Sequence, residues 1–141
     1  MKGFTFVELI IVVGIIALLS TLAAVGIPYA LKSSRDGVRA NSMNDVRTAL
    51  ELYHLRNFQY PNIPNDFCGL LTTLTGGNYL SFQPKDPRTQ TNLCSGPGDG
   101  NVTIGGAMYN YTATPAAGTA SSYVLTLVKE SGGRADFYSP Q

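Results

Sequence analysis

Glu8 is the only charged residue between Lys2 and Lys32. It lies in the stretch Phe4–Ile27, FTFVELIIVVGIIALLSTLAAVGI, which is otherwise uncharged. As a helix rising about 1.5 Å per residue, that stretch spans the roughly 30 Å hydrocarbon core of a bilayer. A carboxylate within such a helix is disfavoured by up to roughly 2.5–3.5 kcal/mol on insertion scales, so Glu8 needs a partner. One becomes available if the chain is cut after Gly3. Phe4 then carries a free amine one helical turn from Glu8. The rival reading leaves the chain uncut, as a signal anchor whose Glu8 sits among hydrated headgroups. A secretory signal cut after the small residues Ser20–Ala24 is a second rival, but its apolar core would be shorter, about 7–15 residues.

Cys68 and Cys94 are the only cysteines. The N-terminal segment would carry the chain beyond it into an oxidising space, where a pair forms a disulfide. Their spacing is not CxxC, and the single His54 offers little to zinc. A bridge closing a loop of about 27 residues stabilises a fold by roughly 3–4 kcal/mol on the chain-entropy account. Free thiols remain the alternative. No other residues form a catalytic set. The sequence has no phosphate-cradling Gly-Lys loop, no GxSxG and no carboxylate pair at a telling spacing, so the chain reads as no enzyme.

The net charge of +1 and a charged fraction of 13% give no basic surface for nucleic acid, although a role in DNA uptake stays open. With 141 residues the chain has room for one small domain after the apolar segment. Lys2 precedes the run and Lys32 and Arg35 follow it, so charge alone sets its orientation poorly.

Lys2-Gly3 followed by FTFVELIIVVGIIALL resembles the N-terminus of type IV pilins and of the pseudopilins of type II secretion and DNA-uptake systems. The resemblance implies a membrane peptidase that cuts between Gly3 and Phe4 and methylates the Phe4 amine. It implies that Glu8 of one subunit neutralises the Phe4 amine of its neighbour. The partners implied are identical or homologous subunits in a filament, the prepilin peptidase, an assembly ATPase with its platform protein, and the inner membrane before assembly. Two features depart from the family pattern. The leader Met1–Gly3 is short, which leaves open a start further upstream, and Pro28 lies further along than the family's helix-breaking proline. Further on, LELYHLRNFQYP resembles the end of the family's long helix. Tyr79-Leu80 with Pro84-Lys85-Asp86-Pro87 resembles its segment leading into the sheet. Some secretion pseudopilins hold calcium in a loop near the sheet. That makes Asp86, Asp99 and Asn101 weak candidates, with Gly98–Asn101 equally readable as a plain turn; otherwise no cofactor is expected. The Cys68/Cys94 placement is unusual for a major pilin and leaves a minor one open.

The elements that must position these residues follow from periodicity. Val38, Met43, Val46, Ala49, Leu50 and Tyr53 mark an amphipathic continuation of the helix to about residue 57, with Arg35, Asp36, Arg39, Asn44, Arg47 and Glu51 on other faces. Arg47 and Glu51 are spaced to pair. Pro28 is expected to kink the helix without ending it. Pro61 and Pro64 end it. Phe67–Leu74 reads as a short helix capped at Asn65-Asp66 and stopped by Gly76-Gly77. Residues 88–106 read as loop. Three strands follow, at Met108–Thr114, Ser122–Lys129 and Ala135–Tyr138, with Tyr109 and Tyr111 on one face. Asn101 and Asn110 each begin a chance-level glycosylation triplet.

The expected fold is therefore α+β, a long N-terminal helix packed on a small antiparallel sheet. Residues 1–3 form a leader, 4–31 an apolar membrane or filament-core helix, and 32–141 a head whose sheet covers about 107–139. The functional reading is a type IV pilus subunit, major or minor, on the cell surface or in a periplasmic filament. A secretion or competence pseudopilin is the alternative, and an uncleaved single-pass anchor displaying a binding domain the third.

Overall fold

The computed structural model describes residues 3–63, 65–94, 100–114 and 118–140. Helix α1, Phe6–Asn57, is 52 residues long and runs through Pro28 without interruption. Among its described side chains, all from Phe6 to Ser34 are exposed, and this part is long and apolar enough to cross a membrane. Asp36 is the first buried residue. From there the inward face advances through Arg39, Met43, Val46, Ala49 and Leu50, a three-and-four spacing that brings one face round every turn. Tyr53 packs against the same core. Val38, expected on the apolar stripe, instead points outward. Helix geometry places the inward face through 36 and 39, so two charged residues occupy positions that hydrophobicity alone would give to Val38.

The helix ends at Phe58, which adopts a left-handed conformation (φ 57°) and donates its N–H to the His54 carbonyl. The chain then turns at Tyr60-Pro61, where Tyr60 bridges Ala120 beside the sheet. Helix α2, Phe67–Gly76, is capped by Asp66, whose carboxylate accepts the Gly69 N–H at 2.8 Å. Its apolar residues Phe67, Leu70, Leu71 and Leu74 are buried.

Four strands follow: β1 (Val102–Ile104), β2 (Ala107–Thr114), β3 (Ser122–Val128) and β4 (Arg134–Tyr138). They form an antiparallel meander in the order β1-β2-β3-β4. Tyr109 faces Leu127, Tyr111 faces Leu125 and Ala113 faces Tyr123 across the central pair, and all six are buried. The sheet packs this face on α1 and α2, so the fold is α+β as expected. Strand β1 is the correction, since it lies within the expected loop. Ile104-Gly105-Gly106-Ala107 makes a two-residue hairpin with both glycines at positive φ, a conformation that suits the twist of paired strands. The strand is only three residues long, too short for alternation to reveal.

The Cys68–Cys94 disulfide joins α2 to the long connection before β1, spanning 26 residues. Both sulfurs belong to the buried cluster, so the bridge secures a stretch with no strand of its own. Every buried described residue lies at or after Asp36, so a fragment beginning at Lys32 contains the whole core. In that fragment, replacing both cysteines by Ser should lower unfolding free energy by roughly 3–4 kcal/mol, read from urea transitions. Non-reducing peptide mapping should return a Cys68–Cys94 cross-link. Two thiols that alkylate freely in the native protein would refute the pairing.

Candidate functional site

The N-terminus of α1 and the point where the head first grips the helix are the two polar centres of this chain. Thr5, extended, is the N-cap of α1. Its hydroxyl oxygen accepts the Glu8 N–H at 3.3 Å. Glu8 Oε2 in turn accepts the Thr5 N–H and the Thr5 hydroxyl, both at 2.8 Å. This reciprocal cap satisfies donors that the first turn leaves free. The T-x-x-E pattern at residues 5–8 is its sequence signal, missed when Glu8 is weighed only as a charge. Glu8 Oε1 has no partner among the described residues. Phe4, 89% exposed, precedes the cap. A Cβ at Gly3 would meet nothing, so any need for glycine there is imposed from outside the chain.

The second centre is built on Arg39, 1% exposed. Its Nε donates to Asp86 Oδ2 at 2.8 Å. Its Nη1 donates to Asp36 Oδ1 at 2.9 Å and to Glu130 Oε2 at 3.1 Å, and its Nη2 to the Gly105 carbonyl at 3.1 Å. The planar guanidinium thus binds its own helix, the segment after α2, the β1–β2 turn and the β3–β4 turn. Such a fixed fork of donors is what Arg supplies and Lys does not. Asp36 also accepts the Glu130 and Ser131 N–H groups at 3.0 and 2.8 Å. Arg35 grips Glu130 with two bonds, at 3.0 and 2.7 Å. Asp86 Oδ1 accepts the Arg88 and Thr89 N–H groups at 2.8 and 3.1 Å.

Charge states follow from these contacts. Hydrogen bonds from Arg35, then Arg39, hold Glu130 down at about 2 against the opposing effect of burial. Burial would raise Asp86, but Arg39 and the two backbone N–H groups outweigh it and leave the group lowered. Asp36 is likewise lowered against burial by Ser131, Glu130 and Arg39. Arg39 is raised despite burial because three carboxylates share it. All four groups are ionised at neutral pH.

Sequence reasoning placed Asp36 and Arg39 on solvent faces, and the structure buries both. It also turns Asp86 inward, 0% exposed, with its carboxylate accepting from Arg39 and backbone donors. Asp99 lies outside the described residues; Asn101 is exposed. Glu51 does not wait for Arg47. Its two oxygens accept the Tyr60 and Tyr123 hydroxyls at 2.9 and 2.8 Å. Burial and then Glu51 push Tyr60 up to about 12. Asn110 is half-buried, its side-chain carbonyl enclosed without a partner among the described residues. A shallow cavity of about 330 Å³ lies between Asp45, Tyr79, Phe82 and Lys85.

Breaking a buried ion pair on one side costs roughly 3–5 kcal/mol, because the remaining charges lose their partner. Arg39→Met in the fragment from Lys32 should lose stability on that scale in urea unfolding. Gly105→Ala should also destabilise. Its φ is 60°, and a Cβ there would strike the Asp86 carboxylate and lie 2.7 Å from Arg39 Nη2. Wild-type stability in both variants would show that the clasp holds nothing. The acid response has a fixed sign. Asp36, Asp86 and Glu130 have lowered folded pKa values, so their contribution is complete above the unfolded values of 3.8 and 4.5. It is lost as pH falls through that range toward about 2. The wild-type urea midpoint should fall over this window, and Arg39→Met should flatten the dependence.

Neither a protein-family model nor a solved structure matches the chain. It is similar to the "Type II secretion system core protein G" of Pseudomonas aeruginosa, 28% identical over 95 residues, which cover 61% of this chain and 67% of that protein. This distant likeness agrees with the pilin and pseudopilin resemblance of the N-terminus.

Proposed function

We propose that this chain is a filament subunit of the pilin and pseudopilin kind. It is made as a membrane-anchored precursor and cut between Gly3 and Phe4, with methylation of the new amine. It is then built into a helical filament by packing of its N-terminal helices, with heads outermost. Its role is structural, not catalytic. The observation that carries the reading is the division of α1: an apolar length opening on Glu8 whose described side chains are all exposed, then a length packed in a self-contained head. An exposed apolar helix needs lipid or other helices around it. Among the described residues one Glu8 carboxylate oxygen has no partner, and the Phe4 amine of a neighbouring subunit is the donor assigned to it in this reading. In an apolar filament core an unpaired carboxylate costs several kcal/mol, so the pairing also penalises wrong registers.

Within this reading, the likeness to a protein named for type II secretion favours a pseudopilin in a periplasmic fibre over a surface pilus for adhesion or motility. An assembly ATPase and a platform protein would be partners in either case. Shearing separates the two. A pilus subunit appears in sheared surface material, and a pseudopilin at native expression does not.

The native N-terminus decides between subunit and anchor. Mass spectrometry of protein from native cells should find a chain starting at methylated Phe4. A mature protein that retains Met1, or starts beyond Ser20, would refute the processing. Glu8→Ala and Glu8→Gln should leave the fragment from Lys32 untouched, since it lacks the residue. In cells both should cut filament yield sharply while processed subunit stays in the membrane. Normal filaments from both variants would reduce Glu8 to the helix cap described above.

A further inference from the structure

The clasp and its surroundings hold more cations than carboxylates. Around it stand Lys32, Arg35, Arg39, Arg88, Lys129 and Arg134, against Asp36, Asp86, Glu130 and Asp136, six cations to four carboxylates. The carboxylates are turned inward: Asp36, Asp86 and Glu130 have side chains no more than 5% exposed, whereas that of Arg88 is 57% exposed. Lys32 is exposed, and neither it nor Lys129 has an ion pair among the described residues. Beyond this region the described charges of the head balance, with Arg47, Arg56 and Lys85 against Asp45, Glu51 and Asp66. The excess positive charge of the described head residues is therefore gathered at one end.

That end is where the helix leaves the head. Lys32 directly follows the apolar run, and Asp36 lies one turn later, about 6 Å along the axis. The β3–β4 turn carrying Lys129 is tied to this level by the Glu130 and Ser131 N–H bonds to Asp36. Arg88 is tied to it through Glu130 at 3.3 Å. Lys32, Lys129 and Arg88 thus stand within about a Debye length of the end of a membrane-length helix, close enough to feel a charged surface there.

We infer that this cationic collar docks the head on anionic phospholipid headgroups while the subunit is held in the bilayer. The inference rests on the membrane-anchored precursor proposed above and adds a second contact between subunit and membrane. Anchoring by the helix keeps the head at high local concentration over the surface, so even a weak contact is populated. Each cation near an anionic leaflet shifts the docked-to-undocked ratio by about fivefold. Docking restrains the head until the helix is extracted, and extraction must break the collar's contacts as well as remove the apolar run.

The test uses the full uncut chain in nanodiscs carrying a trace of gadolinium-chelate lipid, with relaxation of backbone amides as readout. In phosphatidylglycerol-rich discs at low salt, Gly132, Gly133 and Gly106 should relax strongly and Gly77 should not. In phosphatidylcholine discs, and at high salt, the enhancement should fall. Lys32→Gln with Lys129→Gln, which disturbs no ion pair, should reduce the docked-to-undocked ratio by roughly 25-fold. Arg47→Gln with Lys85→Gln should leave it unchanged. Equal relaxation in both lipids, or no response to the first pair of substitutions, overturns the docking. Enhancement that follows the number of chains per disc and not lipid charge would assign the collar to a second copy, which also overturns it. A chain retained by neither disc defeats anchor and collar together, whereas normal processing and assembly with no lipid dependence defeats the collar alone.

Discussion

One buried guanidinium decides how the head is attached to its helix. The first fully buried apolar residue is Met43, one turn beyond Arg39, with only the small, half-buried Ala40 packed on the core before it. Between the exposed apolar run and that core, the union depends on Arg39 and the carboxylates around it. Desolvating such charges is unfavourable, and a well-packed apolar substitute would often be as stable or more so. What an apolar substitute lacks is direction. Arg39 reaches a carboxylate from each of two separate chain segments, Asp86 and Glu130, and a turn carbonyl at Gly105. Each must arrive at the correct place or leave a charge unpaired. The clasp therefore fixes the rotation of the helix relative to the sheet. Residues 129–131 and 84–91, which have little apolar surface to hold them, are located by it.

That rotational fix determines what the rest of α1 presents. With 36, 39, 43, 46 and 50 facing inward, Leu31, Val38, Asp45 and Leu52 recur at seven-residue intervals on the outside, and all are exposed. The outer face is thus mixed where the head covers the other side and uniformly apolar where it does not. Pro28 sits near the change. It removes one N–H from the helix ladder without breaking the run, and it does so where no head contacts would be disturbed.

Much of this was legible. The length of α1, the Asp66 cap of α2, the three longer strands and the inward tyrosines all follow from local rules of periodicity, capping and alternation. The misreadings share a cause. Asp36 and Arg39 look like solvent-facing charges because a sequence displays a side chain's charge but not its partner, and apart from each other their partners are 47 to 95 residues away. Asp86 likewise hides its partner, Arg39, 47 residues away. Strand β1 was obscured by its brevity, although Gly105-Gly106 between Ile104 and Ala107 was a usable hairpin signal. Thr5 and Glu8 were readable as a cap, a local pattern eclipsed by the search for a distant charge.

Glu8 and Glu130 show the same physics resolved in two ways. Glu130 meets its cations, Arg35, Arg39 and Arg88, inside its own chain, and the result is a fold. Among the described residues Glu8 meets only neutral donors from Thr5, which cap a helix but supply no counter-charge at the mouth of an apolar run. A charge that folding leaves uncompensated in an environment of low dielectric must find its counter-charge elsewhere or remain at a wet boundary. Its position then bears on what the chain can join and leaves the folded head unaffected. No buried described residue lies before Asp36, so nothing in the head's own stability constrains Glu8. A carboxylate in this setting bears on what surrounds the exposed helix and not on the folded head.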